Sequence, residues 1–206
     1  GKRISARYPG VQFNQFAGAE MLAKKYALTQ DELNAFAFAS HVKAKRAVEE
    51  GRFKEEIVPI EIELEDGTRQ MHSQDEGIRL DATLGAIAGL QPLQENGLLT
   101  AANASQICDG ASAVMIANGA TCKRLGLKPL ARIVAMSVIG SDPVIMLEGP
   151  IPATEKVLAK AGMTLDQIDL FEVNEAFAAV PLAWAKALGA DLDKLNVNGG
   201  AQALGH

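Results

Sequence analysis

The spacing of apolar residues changes several times along this 206-residue chain. Between Thr29 and Gly51, the residues Leu33, Phe36, Ala37, Ser40, Ala44, Ala47 and Val48 recur every three or four positions. One such stripe of small and apolar side chains predicts an amphipathic helix. Its start, Thr29-Gln-Asp-Glu32, has the form in which a hydroxyl and a carboxylate cap each other's backbone donors, and Gly51 supplies its stop. A shorter helix is expected over roughly Ala17 to Tyr26, after an irregular stretch of Pro, Gly, Gln, Asn and aromatics from Arg7 to Phe16. The period then falls to two. Ile60, Ile62 and Leu64 alternate with glutamates and lead into Glu65-Asp66-Gly67, the turn of an antiparallel hairpin.

The second half reads differently. Ala111 to Ala117 is a continuous apolar run, Ala131 to Val138 is rich in β-formers, and Leu170 to Val173 is a shorter run of the same kind. All three are strand candidates. Helices are expected between them, over Gly119 to Leu125 with Gly126 closing it, and after Gly149-Pro-Ile-Pro152, where Val157, Leu158 and Ala161 share one face and Gly162 ends the helix. A further helix follows Asn174, with Pro181 placed to kink it. Strands alternating with helices predict βαβ units and a mostly parallel sheet, so the fold class is α/β.

Composition narrows the function classes. With 48% hydrophobic residues the chain can build one large or two small cores. A net charge of −5 argues against nucleic acid as the main partner, while 20 Lys and Arg remain to meet an acidic ligand locally. The two cysteines, Cys108 and Cys122, form no metal-ligand spacing and no disulfide framework, so no metal is expected and a reducing compartment is. Both are expected to be inert, Cys108 as a small buried or half-buried residue and Cys122 on its helix with no base nearby. No run reaches the ~18 apolar residues of a membrane span. Gly1-Lys-Arg-Ile-Ser is no signal peptide and lacks an initiator Met, so the chain is expected to begin inside a longer protein.

The candidate chemistry lies between Asp169 and His206. Asn174 follows the apolar run ending at Val173, and Asn196-Val-Asn198 is followed by Gly199 and Gly200. Each reads as a strand tip, where open α/β sheets place their working residues. The tips present an amide at Asn174 and an imidazole at His206. Both can donate to a developing negative charge, and an imidazole can take a proton from a nucleophile near neutral pH. That combination suits acyl transfer. By itself, His41 on the long helix reads as a surface or groove imidazole. The Asp75-Glu-Gly-Ile-Arg79 cluster reads as solvated charge, and lone Met146 or Phe177 as core.

Asn174-Glu-Ala-Phe177 and Asn198-Gly-Gly-Ala201, with Ala203-Leu-Gly-His206 closing it, resemble the two signature blocks in the C-terminal half of thiolases, the acetyl-CoA acyltransferases. Gly51-Arg-Phe-Lys-Glu-Glu-Ile-Val-Pro59 and Asp75-Glu76-x-Ile78-Arg79 extend the resemblance across nearly the whole chain. It implies a partial thiolase-like layered αβα fold with an inserted α+β loop domain. Residues 1–99 would be the loop domain covering coenzyme A, 100–128 the end of the N-terminal thiolase domain, and 129–206 the first part of the C-terminal domain. It implies that His206 activates a thiol and donates to the thioester oxyanion, that Asn174 holds a water in the same hole, and that Glu175 supports both. Arg79 would meet a nucleotide phosphate of CoA; Ala101 and Ser105 would lie along the pantetheine arm. Met146, Ala176 and Phe177 would lie at the acyl group.

The family's nucleophilic Cys block and its Cys-x-Gly block are not among these residues, which reads as the middle of a longer enzyme. The alternative is a CoA- or lipid-binding module without chemistry. The resemblance further implies acyl-CoA and CoA as substrates with no permanently bound cofactor, no nucleic-acid or membrane partner, and a homodimer or homotetramer. A cytoplasmic location is expected, or an organelle matrix in a eukaryote. Asn14-Gln15-Phe16 stands where many acetoacetyl-CoA thiolases carry His-Met-Gly. This departure predicts a preference for chains longer than, or different from, acetoacetyl.

Overall fold

The computed structural model describes residues 1–206. Eight α-helices and one two-stranded sheet follow in the order α1 (Lys2–Arg7), α2 (Gln15–Lys25), α3 (Gln30–Glu49), β1 (Ile60–Glu63), β2 (Arg69–His72), α4 (Leu84–Ala88), α5 (Gly119–Leu125), α6 (Pro150–Ala161), α7 (Ala179–Leu188) and α8 (Ala201–Leu204). The capping box of α3 forms as its sequence dictates. Thr29 Oγ1 accepts from the Glu32 N–H at 3.2 Å while the Glu32 carboxylate accepts from the Thr29 N–H at 2.6 Å. That carboxylate is consequently held below its ordinary pKa by the Thr29 hydrogen bonds. β1 and β2 pair antiparallel with Ile60 opposite His72 and Glu63 opposite Arg69, the register that the Asp66-Gly67 turn sets. Gly126 and Gly162 end α5 and α6 in the left-handed conformation.

The main core lies where α2, α3 and α7 meet the 171–180 and 195 backbone; Leu22, Leu33, Val173, Phe177, Trp184 and Leu195 are all buried there. Trp184 is 1% exposed, packs edge-to-face on Phe171, and donates its indole N–H to Thr154 Oγ1 of α6 at 2.9 Å. One apolar side chain with a satisfied polar tip therefore fixes α6 against α7. A polar link joins α2 to the turn before α6. Lys25 Nζ and Tyr26 Oη lie 2.6 and 2.5 Å from Glu148 Oε1.

The strand candidates resolve into single pairings or none. Phe171 and Leu195 form a parallel bridge, with the Phe171 N–H donating to Lys194 O and the Asn196 N–H to Phe171 O, both at 2.9 Å. Residues 131–138 form no strand; α6 holds them instead, with Lys156 and Lys160 donating to Val138 O and Met136 O and Ser137 Oγ donating to Ala153 O. Residues 111–117 are exposed throughout. An apolar β-forming run makes a strand only when a neighbour accepts its backbone hydrogen bonds, and none of these residues supplies one.

Three further expectations are corrected. The helix after Asn174 begins only at Ala179, because residues 174–178 are spent on the bridge to Ala104 and on the core. Pro181 sits in the first turn of α7, where no backbone N–H is required, so it introduces no kink. Cys108 is exposed rather than buried, since the segment carrying it lies on the outside of the Leu204–Gly205 turn, with its Sγ–H directed at Leu204 O.

Candidate active site

The bridge between residues 171 and 195 sets the two polar blocks side by side, and buried hydrogen bonds then lock them together. Asn196, 1% exposed, donates from Nδ2 to Val173 O and accepts the Val173 N–H on Oδ1, at 2.8 and 2.9 Å. One side-chain amide thus continues the pairing that the short backbone bridge begins. Asn196 Nδ2 also donates to Glu175 Oε1 at 2.8 Å.

Glu175 is the hub. Its buried carboxylate accepts from Ser40 Oγ of α3 at 2.7 Å, from Asn196, and from the Gln202 N–H of α8 at 3.2 Å. Ser40 Oγ in turn accepts the Gly200 N–H at 3.1 Å. A carboxylate removed from water keeps its charge at tolerable cost only when such donors surround it. The approach is so close that a Cβ on Gly200 would lie 2.6–2.7 Å from both carboxylate oxygens. Gly199, at a φ of +79°, turns the chain beneath Ser40 and Ala44. The Asn-Gly-Gly motif is therefore the shape needed to pass the backbone between Glu175 and α3.

The hub presents the reactive groups. His206 is exposed, with Nε2 3.0 Å from Asn174 Nδ2 and Nδ1 3.1 Å from Ser105 Oγ. The Asn174 amide nitrogen can only donate, so His206 Nε2 accepts from it and the imidazole proton lies on Nδ1, pointing at the Ser105 hydroxyl. Ser105 is itself anchored, its N–H donating to Ala176 O at 3.0 Å. Such an imidazole has a lone pair and an N–H fixed in direction, the requirement for moving a proton to and from a reacting atom.

A cleft of about 380 Å³ opens beside this site, lined by His41, Arg79, Ala82, Ala101, Ala104 and Gln202 among others. Its small side chains let a thin ligand approach the backbone, and Arg79 stands on its wall. Ala104 and Gln106 line the cleft, and Ser105 between them turns to His206. Gln106 donates to Gly77 O and Gln202 O at 2.6 and 2.8 Å.

The structure brings together His206, Asn174, Ser105 and Ala176 at the imidazole, with Glu175 behind them, and Arg79 with Ala101 in the cleft. Phe177 is buried and stacks edge-to-face on Phe16 at 5.1 Å, part of the core wall. Met146 sits in the 142–146 turn, with its side chain against Gly18 of α2. Sequence reasoning passed over Ser40, Asn196 and Gln202, whose roles appear only through long-range contacts. It read His41 as a surface or groove imidazole; the residue does line the cleft, but as a buried side chain with a partner. His41 is 7% exposed and its Nδ1 accepts the Arg79 N–H at 3.1 Å. Among all 206 residues no group of His, Cys, Asp and Glu is arranged to hold a metal ion.

The site thus consists of an imidazole held by an amide and a hydroxyl, with a cleft beside it that carries an arginine on its wall. Residues 11–120 match the thiolase N-terminal domain and residues 127–206 the thiolase C-terminal domain. The chain belongs to the thiolase family. It is 48% identical over 200 residues to a steroid 3-ketoacyl-CoA thiolase of Mycobacterium tuberculosis, across 97% of this chain and 48% of that protein. It is 49% identical over 189 residues to an acetyl-CoA acetyltransferase of Pseudomonas aeruginosa, across 91% and 48%. Human mitochondrial 3-ketoacyl-CoA thiolase superposes with a TM-score of 0.89 at 44% identity, over 92% of this chain and 48% of that one. The structure of the human enzyme in complex with CoA gives 0.86 at 43% identity, over 92% and 47%. The chain thus spans about half the length of the curated relatives it matches.

Proposed function

We propose that these residues form part of an enzyme exchanging acyl groups between CoA thioesters. In the thiolytic direction a 3-ketoacyl-CoA and CoA give acetyl-CoA and an acyl-CoA shortened by two carbons; in the other direction two thioesters condense. The observation that carries this reading is the His206 imidazole held between Asn174 and Ser105, with the Arg79 cleft beside it. The family attacks the thioester with a cysteine of its N-terminal block. His206 would take that thiol's proton and donate to the thioester oxygen as negative charge develops there. Asn174 would orient a water toward the same oxygen, and Glu175 would keep the two blocks in register.

Arg79 would meet a CoA phosphate, for which a guanidinium fork is suited, with Ala101 and Ser105 along the pantetheine arm. Met146, Ala176 and Phe177 would lie toward the acyl group, and Phe16 on Phe177 would set the breadth of that pocket. Residues 1–99 would act as the loop domain, 100–128 would complete the N-terminal domain and 129–206 would begin the C-terminal one. The enzyme would be a cytoplasmic or organelle-matrix homodimer or homotetramer, with no nucleic-acid or membrane partner and no permanently bound cofactor.

Identity to the steroid thiolase and to the acetyltransferase is nearly equal, so Asn14-Gln15-Phe16 carries the expectation of acyl chains longer than, or different from, acetoacetyl. The deciding experiment is a thiolysis assay on the full-length protein. We expect kcat to fall ~10²-fold or more for His206→Ala and for Asn174→Ala, as loss of a preorganised donor does. Near-normal turnover in either variant, or CoA binding without reaction in the wild type, would move the reading to a binding module. A strong preference of kcat/KM for acetoacetyl-CoA over a long or branched 3-ketoacyl-CoA would overturn the chain-length expectation.

A further inference from the structure

Arg79 belongs to no helix or strand; the backbone from residue 73 to residue 83 is turn and coil. Nothing in regular secondary structure therefore fixes the direction of its side chain, yet it lies on the wall of a cleft lined by five alanines and Thr83, by larger side chains such as Ile87 and Leu90, and by one carboxylate, Asp81. Its guanidinium makes no ion pair and no hydrogen bond within the chain, and the residue is exposed. A free guanidinium directed from an irregular loop recognises an anion well only if the loop itself is held.

The loop is held at successive residues. Gly77 O accepts from Gln106 Nε2 at 2.6 Å, and Ile78 is buried against Ala44 and Ala203. The Arg79 N–H donates to His41 Nδ1 at 3.1 Å, and Leu80 O accepts from Lys45 Nζ at 3.3 Å. The His41 contact is the only one of these made at Arg79 itself, and its acceptor comes from the middle of α3, the longest helix. Accepting on Nδ1 requires the neutral tautomer with its proton on Nε2. Burial and the Arg79 charge both hold the His41 pKa below the ordinary imidazole value, which favours that form at neutral pH.

We infer that His41 is a positioning residue for anion recognition in this cleft: by accepting the Arg79 N–H it fixes the Arg79 backbone so that the guanidinium meets a phosphate of CoA. This rests on the reading of the cleft as an acyl-CoA site. His41 does not touch the phosphate; it acts through Arg79. Its effect must therefore vanish when either the phosphates or the guanidinium are removed.

The test is isothermal titration of the full-length protein with CoA and with phosphate-free pantetheine. Arg79→Ala and His41→Ala are each expected to weaken CoA about tenfold, the worth of one hydrogen bond to a charged partner's anchor, and to leave pantetheine unchanged. His41→Ala is expected to cost nothing further in an Arg79→Ala background. The two amide replacements separate the ring nitrogens. Asn places its oxygen near the position of Nδ1 and should restore CoA affinity, whereas Gln reaches toward Nε2 and should not. Wild-type CoA affinity in His41→Ala, equal losses for CoA and pantetheine, additivity with Arg79→Ala, or rescue by Gln instead of Asn would each overturn the inference. If His41→Ala fails to fold, the Asn and Gln variants alone decide. Unchanged CoA binding in Arg79→Ala would bring down the underlying CoA reading of the cleft, separately from the role of His41.

Discussion

The Glu175 hub and the stretches at residues 111–117 and 131–138 are opposites. In the hub, a carboxylate that is 1% exposed finds three donors, Ser40 Oγ of α3, the Gln202 N–H of α8 and the Asn196 side-chain amide, so polar residues that would favour water are buried. In the stretches, Val114 is 85% and Val134 70% exposed, so side chains that would favour burial face solvent. The difference lies in where the partners are. Every group that satisfies Glu175 is present within these residues, whereas the apolar stretches offer backbone and side chains for which no neighbour exists here. Burial follows the availability of partners, not the polarity of the residue.

The sharpest way to break this comparison is to mutate its two poles. Glu175→Ala strands the buried donors of Ser40, Asn196 and Gln202 and should cost about 3 kcal/mol or more of stability, and Gly200→Ala, whose Cβ has no room beside the carboxylate, a similar amount. Val114→Thr should stay within about 0.5 kcal/mol. Denaturant unfolding of the 206-residue chain measures all three, and equal losses would show that exposure does not mark the weak region.

Hydrogen exchange gives the next largest contrast. Amides of Val173, Gly200 and Gln202 should open only with most of the structure, while those of residues 111–117 should exchange almost as in a free peptide. Slow exchange in the latter would mean that they find a partner, as strand edges and apolar faces left uncovered tend to do. Sedimentation of the same sample would report that partner as self-association; a monodisperse monomer with slow exchange would contradict both statements.

The smallest effect is expected at the Tyr26–Glu148 link. Burial, then the hydrogen bond and charge of Glu148, push the Tyr26 pKa from 10.0 to about 12. A folded-state pKa above the unfolded one favours the native state below pH 10, and that contribution disappears as pH rises to about 12. Tyr26→Phe should flatten Tm against pH in this window. On the acid side, Glu148 is held below its ordinary pKa by Lys25 first and Tyr26 second, so its contribution is lost as pH falls below the usual carboxylate range, and Glu148→Gln should remove that part of the slope. Unchanged profiles in both variants would mean that the link contributes nothing.

What could be read from the sequence was local. The Thr29–Glu32 box, the Gly126 and Gly162 stops and the Asp66-Gly67 turn each involve residues a few positions apart, and all formed where expected. Asn174, Glu175 and His206 were legible as a motif, and the structure adds the Asn174 and Ser105 contacts that aim the imidazole. Ser40 could not be read so. It fell on the apolar stripe of α3 and counted as a small core residue, because its partner Glu175 lies 135 positions away. The strand runs were over-read for the matching reason, since β-propensity states a readiness to pair and nothing about whether a partner is present.

Ser40 and His41 are consecutive on α3, one holding the hub and the other the Arg79 loop. Each residue of an α-helix turns roughly 100° about the axis. Adding or deleting one residue between the Thr29 cap and Ser40 would therefore swing both side chains off their targets together. Removing a whole turn would restore the angle but lower both by about 5.4 Å. The span from cap to Ser40 is thus a fixed dimension of the molecule, in phase as well as in height, and a length change there should unfasten the proton-handling site and the anion site in one step.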